Sequence, residues 1–374
     1  MIGQTLSFYL AKNFLRNTVF VFLVFFFLIA LVDMLELSRR TARIEDVSFL
    51  DVFSIVMLRA PVLSENIVPF AVLFGASASL LLLNKRLELV VARASGVSVW
   101  QFLAPICVAA AMVGLVMGLI YNPLSLRLQA SSLTLEGAVF AKKSGVQTPA
   151  GITQNFWTRI ARPEGDMGLR AAVAADRGKN LAGVSAYLFD KDGKPEQRID
   201  AASASFVGET SGDDLQPNRF VLQRASILVP GEEPRILPFL AIPVSITEEL
   251  LEIRQTSPDR VSFWTLDEQA ELAQRAGRPP EPFQTRWHSV LSLPLQFVAM
   301  VLLAGTVSLT FARFGIDGRC VLTGVIAGFV LYVLTKLVVT FGSNGLVSPV
   351  VAAWSPAMVG SLIAITVLLH QEDG

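Results

Sequence analysis

The sequence predicts a membrane α-helical protein: six transmembrane helices in a three-plus-three arrangement, with an extracytoplasmic antiparallel β domain inserted between the halves. Three observations carry this prediction. The 374-residue chain is 52% hydrophobic and only 17% charged, with a mean hydropathy of +0.54, more apolar than a soluble globular chain. Six runs, residues 17–35, 61–83, 100–121, 289–311, 320–341 and 349–369, are long enough to cross a hydrocarbon core about 30 Å thick, which takes roughly 20 helical residues. Between the third and fourth run the apolar period changes from that of a helix to that of a strand.

The first run follows Lys12 and Arg16. No small-residue cleavage site succeeds it; Asp33-Met-Leu-Glu-Leu-Ser-Arg-Arg40 stands there instead, so it reads as a retained span. With the N-terminus in the cytoplasm, Lys12, Arg16, Lys85, Arg86, Arg93, Arg313 and Arg319 fall on the inner side, and the outer loop of residues 342–348 carries no charge. Arg39, Arg40 and Arg43 oppose that rule. They read either as ligands for phosphate, which guanidinium binds with two parallel hydrogen bonds, or as cations capping a helix C-terminus and pairing with Glu36 or Glu45. Arg127, beyond the third run, is a similar candidate. Phe22, Phe25 and Phe26 in the first run suit either acyl chains of a ligand or ordinary lipid and helix packing.

From residue 124 to 286 short β-rich runs such as Phe156-Trp-Thr-Arg-Ile160 and Val184-Ser-Ala-Tyr-Leu-Phe189 alternate with turn-rich clusters, as in a sandwich or jelly roll. Asp190-Lys-Asp-Gly193 opens like a calcium loop but lacks the later ligands and the closing Glu, so it reads as a hairpin turn. Residues 266–275 have helical spacing and end before Gly277, Pro279 and Pro280. The domain division is therefore 1–123, 124–286 and 287–374.

Several function classes are excluded. Net charge is zero and the pI is about 6.8, so there is no basic field for nucleic acid. No GxxxxGK[ST] phosphate loop is present, and two histidines and two cysteines, all at or inside apolar runs, assemble no catalytic or metal set. The chain reads as no enzyme, with no cofactor of its own. Lys336, the one clear charge inside a late run, is either functional or a side chain snorkelling to the interface.

The remaining charged feature is Asn84-Lys-Arg-Leu-Glu-Leu-Val-Val-Ala-Arg-Ala-Ser-Gly-Val-Ser-Val-Trp100, between the second and third runs. As a surface helix it places Leu87, Val90, Val91 and Ala94 on one apolar face, Lys85, Glu88 and Ser95 on a flank, and Leu89 pointing away from the stripe. Gly96 supplies the C-terminal stop.

This segment, with Pro69-Phe-Ala-Val-Leu-Phe-Gly75 before it, Val184-Ser-Ala-Tyr-Leu-Phe189, Gly328-Phe-Val-Leu-Tyr-Val-Leu334 and Ala353-Trp-Ser-Pro356, resembles the LptF/LptG permeases of the lipopolysaccharide-export ABC transporter. The likeness covers essentially the whole chain, and Ala353-Trp-Ser-Pro356 with the Leu-Val-Val spacing after Glu88 is more similar to the LptG branch. The resemblance implies a permease of the bacterial inner membrane with a periplasmic β-jelly-roll, extracting lipopolysaccharide and passing it to a periplasmic bridge. It further implies a second, LptF-like six-span chain, an LptB-like ATPase dimer holding ATP and Mg, and an LptC-like single-span protein. Residues 84–98 then form the coupling helix, with Glu88 and Leu89 meeting the ATPase and Arg86 and Arg93 beside them. Arg39, Arg40, Arg43, Arg127 and Lys336 become head-group candidates, and Phe22, Phe25 and Phe26 acyl-chain candidates. Two other readings of the residues stand beside it: a secondary transporter, and a membrane-anchored β domain that assembles or signals without transport.

Overall fold

The computed structural model describes residues 4–42, 47–144, 153–162, 165–175, 178–190, 194–208, 218–229, 235–244, 257–275, 278–314 and 318–373. Among the described residues five helical runs are long and apolar enough to cross a membrane: Gln4–Thr41, Phe49–Lys85, Val99–Glu136, Leu322–Ser343 and Pro349–Gln371. The pair Glu281–Leu291 and Leu293–Ser308, bent by 51°, supplies a sixth.

The N-terminal half comprises α1 (Gln4–Thr41), α2 (Phe49–Ser64), α3 (Val68–Lys85), α4 (Glu88–Ala94), α5 (Val99–Val116) and α6 (Asn122–Ser144). A 3₁₀ turn, Glu65–Ile67, joins α2 to α3, and a π turn, Met117–Tyr121, joins α5 to α6. At 38 residues, about 57 Å, α1 is far longer than the apolar run that announces it and stands out of any bilayer. The second helical run begins at Phe49, not at Pro61, because Ser48 caps it: Ser48 Oγ accepts from Leu50 N at 3.3 Å and Asp51 Oδ2 from Ser48 N at 3.1 Å. Pro61 sits inside α2, and its carbonyl accepts from Ser64 Oγ at 2.8 Å and from the Tyr121 hydroxyl at 3.1 Å. Hydropathy places the start too late, since Asp51 and Arg59 interrupt it without interrupting the helix.

After the β domain come α7 (Leu266–Arg275), α8 (Glu281–Leu291), α9 (Leu293–Phe314), α10 (Gly318–Ser343) and α11 (Pro349–Asp373). Helix α9 is apolar nearly all round, and it packs against α3, α5, α10 and α11; Phe297, Met300, Val301 and Ala304 are fully buried there. Glycines set the closest approaches. A Cβ on Gly114 would lie 2.6 Å from Pro294 Cα, and one on Gly118 would lie 2.8 Å from Val290 Cγ1, so the Gly114-x-x-x-Gly118 face receives the bend between α8 and α9.

Six strands, β1 (Thr153–Arg162), β2 (Gly165–Ala175), β3 (Asn180–Phe189), β4 (Pro195–Val207), β5 (Arg219–Leu228) and β6 (Arg235–Pro243), form one antiparallel sheet in sequence order. Asp190 N donates to Lys194 O at 3.0 Å where β3 turns into β4; residues 191–193 of that turn lie outside the described ones. The order is a meander with β1 and β6 at its edges, and the sheet is creased. Strand pairs alternate faces with period two, but Ala171 and Ala174, Leu181 and Val184, Ala201 and Ala204, and Leu222 and Ala225 are all buried although each pair is three apart. The register aligns the positions between them into one row, Ala172, Gly183, Ala202 and Arg224, opposite Pro238 of β6, and the pairing skips that row. Gly183 and Arg224 both have positive φ, +62° and +51°. A crease across the sheet there turns the pleat over, so both halves present their apolar residues to one interior made of sheet residues and Val244.

Candidate functional site

Three places concentrate the candidate residues. The first is α4. Arg86 N closes on Leu82 O at 3.1 Å, ending α3, and Leu87 takes the left-handed conformation at φ +61°, which reverses the chain before Glu88 starts the new helix. Leu89 points away from the apolar stripe, as the sequence spacing predicts, but that side is the buried one: Leu89 is 3% exposed and joins the membrane core with Leu83 and Val99 instead of standing exposed beside Glu88. Leu87 and Val91, two residues of the apolar face read from the spacing, are 61% and 66% exposed, and Ala94 is exposed on the same side. A helix of seven residues has room to anchor one large side chain, and burying Leu89 contributes about 2 kcal/mol. Glu88 Oε2 accepts from the Tyr9 hydroxyl of α1 at 2.9 Å, and Glu88 Oε1 lies 3.9 Å from Arg86 Nη1. Gly96, at φ +87°, ends the segment. The side chains of Val90 and Arg93 lie outside the described ones.

The second is the C-terminal half of α1. Arg39 and Arg40 occupy its last turn and line a shallow concavity with Val32, Leu35 and Glu36; Arg40 pairs with Glu36. Arg43 lies outside the described residues, and Arg127 is exposed near the start of α6. The three phenylalanines diverge. Phe22 stacks edge-on against Tyr121 at 6.2 Å, and Phe26 packs with the α1–α2–α6 cluster, so both hold helices together. Phe25 instead lines an all-apolar groove of about 520 Å³ with Phe70 and Phe74 of α3 and Val325, Ile326 and Phe329 of α10.

The third place is one that the sequence reading passes over. Glu65 sits in the 3₁₀ break, where Asn122 Nδ2 donates to its two oxygens at 3.3 and 3.2 Å, Ser125 Oγ donates to it, and Arg286 Nη2 lies 3.5 Å away. Lys336 Nζ donates to Asn66 Oδ1 at 2.9 Å and lies 5.6 Å from the Tyr332 ring centroid. These groups line one cavity of about 420 Å³ between α3, α8, α9 and α10. Trp264 Nε1 donates at 3.3 Å to Leu119 O, a carbonyl of the π turn next to it. Thus Lys336 and the α1 arginines, grouped by charge in the sequence, line separate cavities. The signal for Glu65 in sequence is a carboxylate, between Ser64 and Asn66, inside the second apolar run.

Comparison with known proteins agrees with this architecture. The family model described as lipopolysaccharide export system permease LptF/LptG matches residues 8–370. The lipopolysaccharide export system permease protein LptG of Escherichia coli K12 is 24% identical over 322 residues, covering 81% of each chain, and that of Escherichia coli O6:H1 matches to the same extent. With five to six apolar helices long enough to cross a membrane among the described residues, a β domain inserted between them, and a family match over nearly its whole length, this chain belongs to the LptF/LptG family of lipopolysaccharide export permeases.

Proposed function

We propose that the chain is one permease subunit of a lipopolysaccharide exporter in the inner membrane, and that a separate cytoplasmic ATPase drives it through α4. The observation that carries this reading is the exposed apolar stripe of Leu87, Val91 and Ala94 on a helix pinned from behind by Leu89 and Glu88. An apolar stripe on a rigidly held surface helix suits a groove in a partner protein. ATP and Mg belong to that partner, an LptB-like dimer; an LptF-like chain completes the membrane unit, and an LptC-like protein continues the path. Acyl chains lie against Phe25, Phe70, Phe74 and Phe329, and phosphorylated sugars meet Arg39 and Arg40 above them. The creased sheet, on the periplasmic side, receives the lipid next.

The test is co-purification. Val91→Asp puts a carboxylate in the middle of the stripe and is expected to lower recovery of the ATPase at least about tenfold, while the thermal midpoint of the chain itself stays put because Val91 is exposed. Glu88→Ala frees Tyr9 and Arg86 and loosens the helix, so its effect is smaller, about threefold. Undiminished recovery with Val91→Asp removes α4 as the contact. On the cargo side, Arg39→Glu with Arg40→Glu is expected to reduce photocrosslinking of lipopolysaccharide from a probe at Val32; an unchanged yield counts against the head-group assignment.

A further inference from the structure

We propose that the cavity around Glu65 and Lys336 binds a zwitterionic head group, one that carries both an ammonium and a phosphate. Its depth fits a lipid head group. Glu65 lies about 30 Å from the Lys85 end of α3, and Lys336 about 27 Å from the Gly318 end of α10, at 1.5 Å per residue, which puts both at the outer boundary of the hydrocarbon core.

The lining has two chemically opposite walls. On one, Glu65 is held by Asn122 and Ser125, and Arg286 is shared between Glu65 at 3.5 Å and Asp259 at 3.7 Å, two carboxylates to one guanidinium. Asn122 is 4% exposed, yet its Oδ1 has no hydrogen-bond partner among the described residues; Thr285, 1% exposed, leaves its Oγ1 equally unpartnered. Both line the cavity. A buried polar atom without a partner is costly, and Asn122 stands beside the Glu65 carboxylate. On the other wall, Lys336 is satisfied once, by Asn66, and has no carboxylate within ion-pair distance among the described residues, so an ammonium with three donors keeps two to offer. A simple anion would suit Lys336 but face Glu65, and a simple cation would suit Glu65 but face Lys336. A ligand with N–H donors at one end and phosphate oxygens at the other satisfies both walls. Val68, Pro69, Met117 and Phe297 supply an apolar floor for the carbon chain behind the head group.

Two sources carry this chemistry: an ethanolamine phospholipid of the bilayer, and a phosphoethanolamine substituent on the glycolipid cargo. The proposal needs no ATP and stands apart from the role of α4. The purified full chain is exchanged against equal amounts of phosphatidylethanolamine, phosphatidylcholine and phosphatidylglycerol, and the retained lipids are counted by native mass spectrometry. Phosphatidylethanolamine is expected at least fivefold above both others, because phosphatidylcholine has no N–H to give Asn122 and phosphatidylglycerol has no ammonium for Glu65. Glu65→Gln is expected to bring the three lipids to parity, and Lys336→Met, which removes the contact with a phosphate all three share, to lower the retention of all three at least fivefold. Lys336 is exposed on the isolated chain, so Lys336→Met folds and keeps the test decisive if Glu65→Gln does not. A parallel exchange with lipopolysaccharide bearing or lacking phosphoethanolamine separates the sources: preference for the bearing form without phospholipid selectivity assigns the site to the cargo. Equal retention in both arms, selectivity that survives Glu65→Gln, or undiminished retention in Lys336→Met overturns the proposal.

Discussion

Replacing Gly75 with alanine is expected to remove most of the folded protein from the membrane, a larger effect than any substitution in α4. Helices α1 and α3 cross at Gly75. A Cβ there would lie 2.3 Å from Thr18 Oγ1, 2.5 Å from Thr18 Cα and 2.8 Å from Thr18 N. The first of these contacts is with a side chain and relieved by trimming it; the other two are with backbone and move only if the helices part. Separation would loosen the packing of Phe14 against Val72 and Ala76 and pull Asn13 Nδ2 from Ser79 Oγ, now 3.2 Å apart in the buried interface. Transmembrane helices hold together chiefly through such close packing and a few interhelical hydrogen bonds. The expected cost is about 3 kcal/mol, the upper range for overpacking. Folded yield and thermal midpoint in detergent measure it, and adding Thr18→Ala separates side-chain crowding from backbone approach. The double variant is expected to stay as unstable as Gly75→Ala; a return to wild-type behaviour would show that only Thr18 Oγ1 was in the way.

The apolar runs made the membrane crossings legible, because roughly 20 uninterrupted apolar residues have few other uses. Helix ends were less legible, since Asp51, Arg59 and Glu136 belong to helices that outrun the hydrocarbon core. The short β-rich runs that fall in β1 and β3 announced an antiparallel sheet. Its crease depends on positive φ at Gly183 and at Arg224, and nothing about an arginine in a β-rich run announces that conformation. In α4 the segment, Glu88 and the opposition of Leu89 to the apolar stripe were legible, but which side is buried was not: it turns on one left-handed residue, Leu87, about which the period carries no information. Glu65, Asn122 and Arg286 meet only after the chain has passed through the β domain and returned, a pairing that spacing along the sequence has no means of expressing.

Arg59→Leu is expected to destabilise the outer end of the bundle by about 3 kcal/mol, although it replaces a charge with a residue suited to a membrane helix. Arg59 of α2 has Nη1 4.0 Å from Asp33 Oδ1 of α1 and 3.8 Å from Glu136 Oε2 of α6. Asp33 is buried, its Oδ2 has no hydrogen-bond partner among the described residues, and Ala30, Leu37, Val56 and Val139 pack around the group. Removing the guanidinium leaves two carboxylates facing each other in apolar surroundings, which costs more than the pair itself contributes. The triple variant Arg59→Leu, Asp33→Asn and Glu136→Gln is therefore expected to recover most of the loss, and the difference between the two measures the coupling. Wild-type stability in Arg59→Leu alone would show that the acids are solvated and the triad idle. The same triad joins α1 at Asp33, roughly two turns before Arg39 and Arg40, to α2 and to α6, the helix that leads into the β domain. Loosening it should therefore also weaken lipopolysaccharide crosslinking at Val32, at temperatures where the rest of the bundle is still folded.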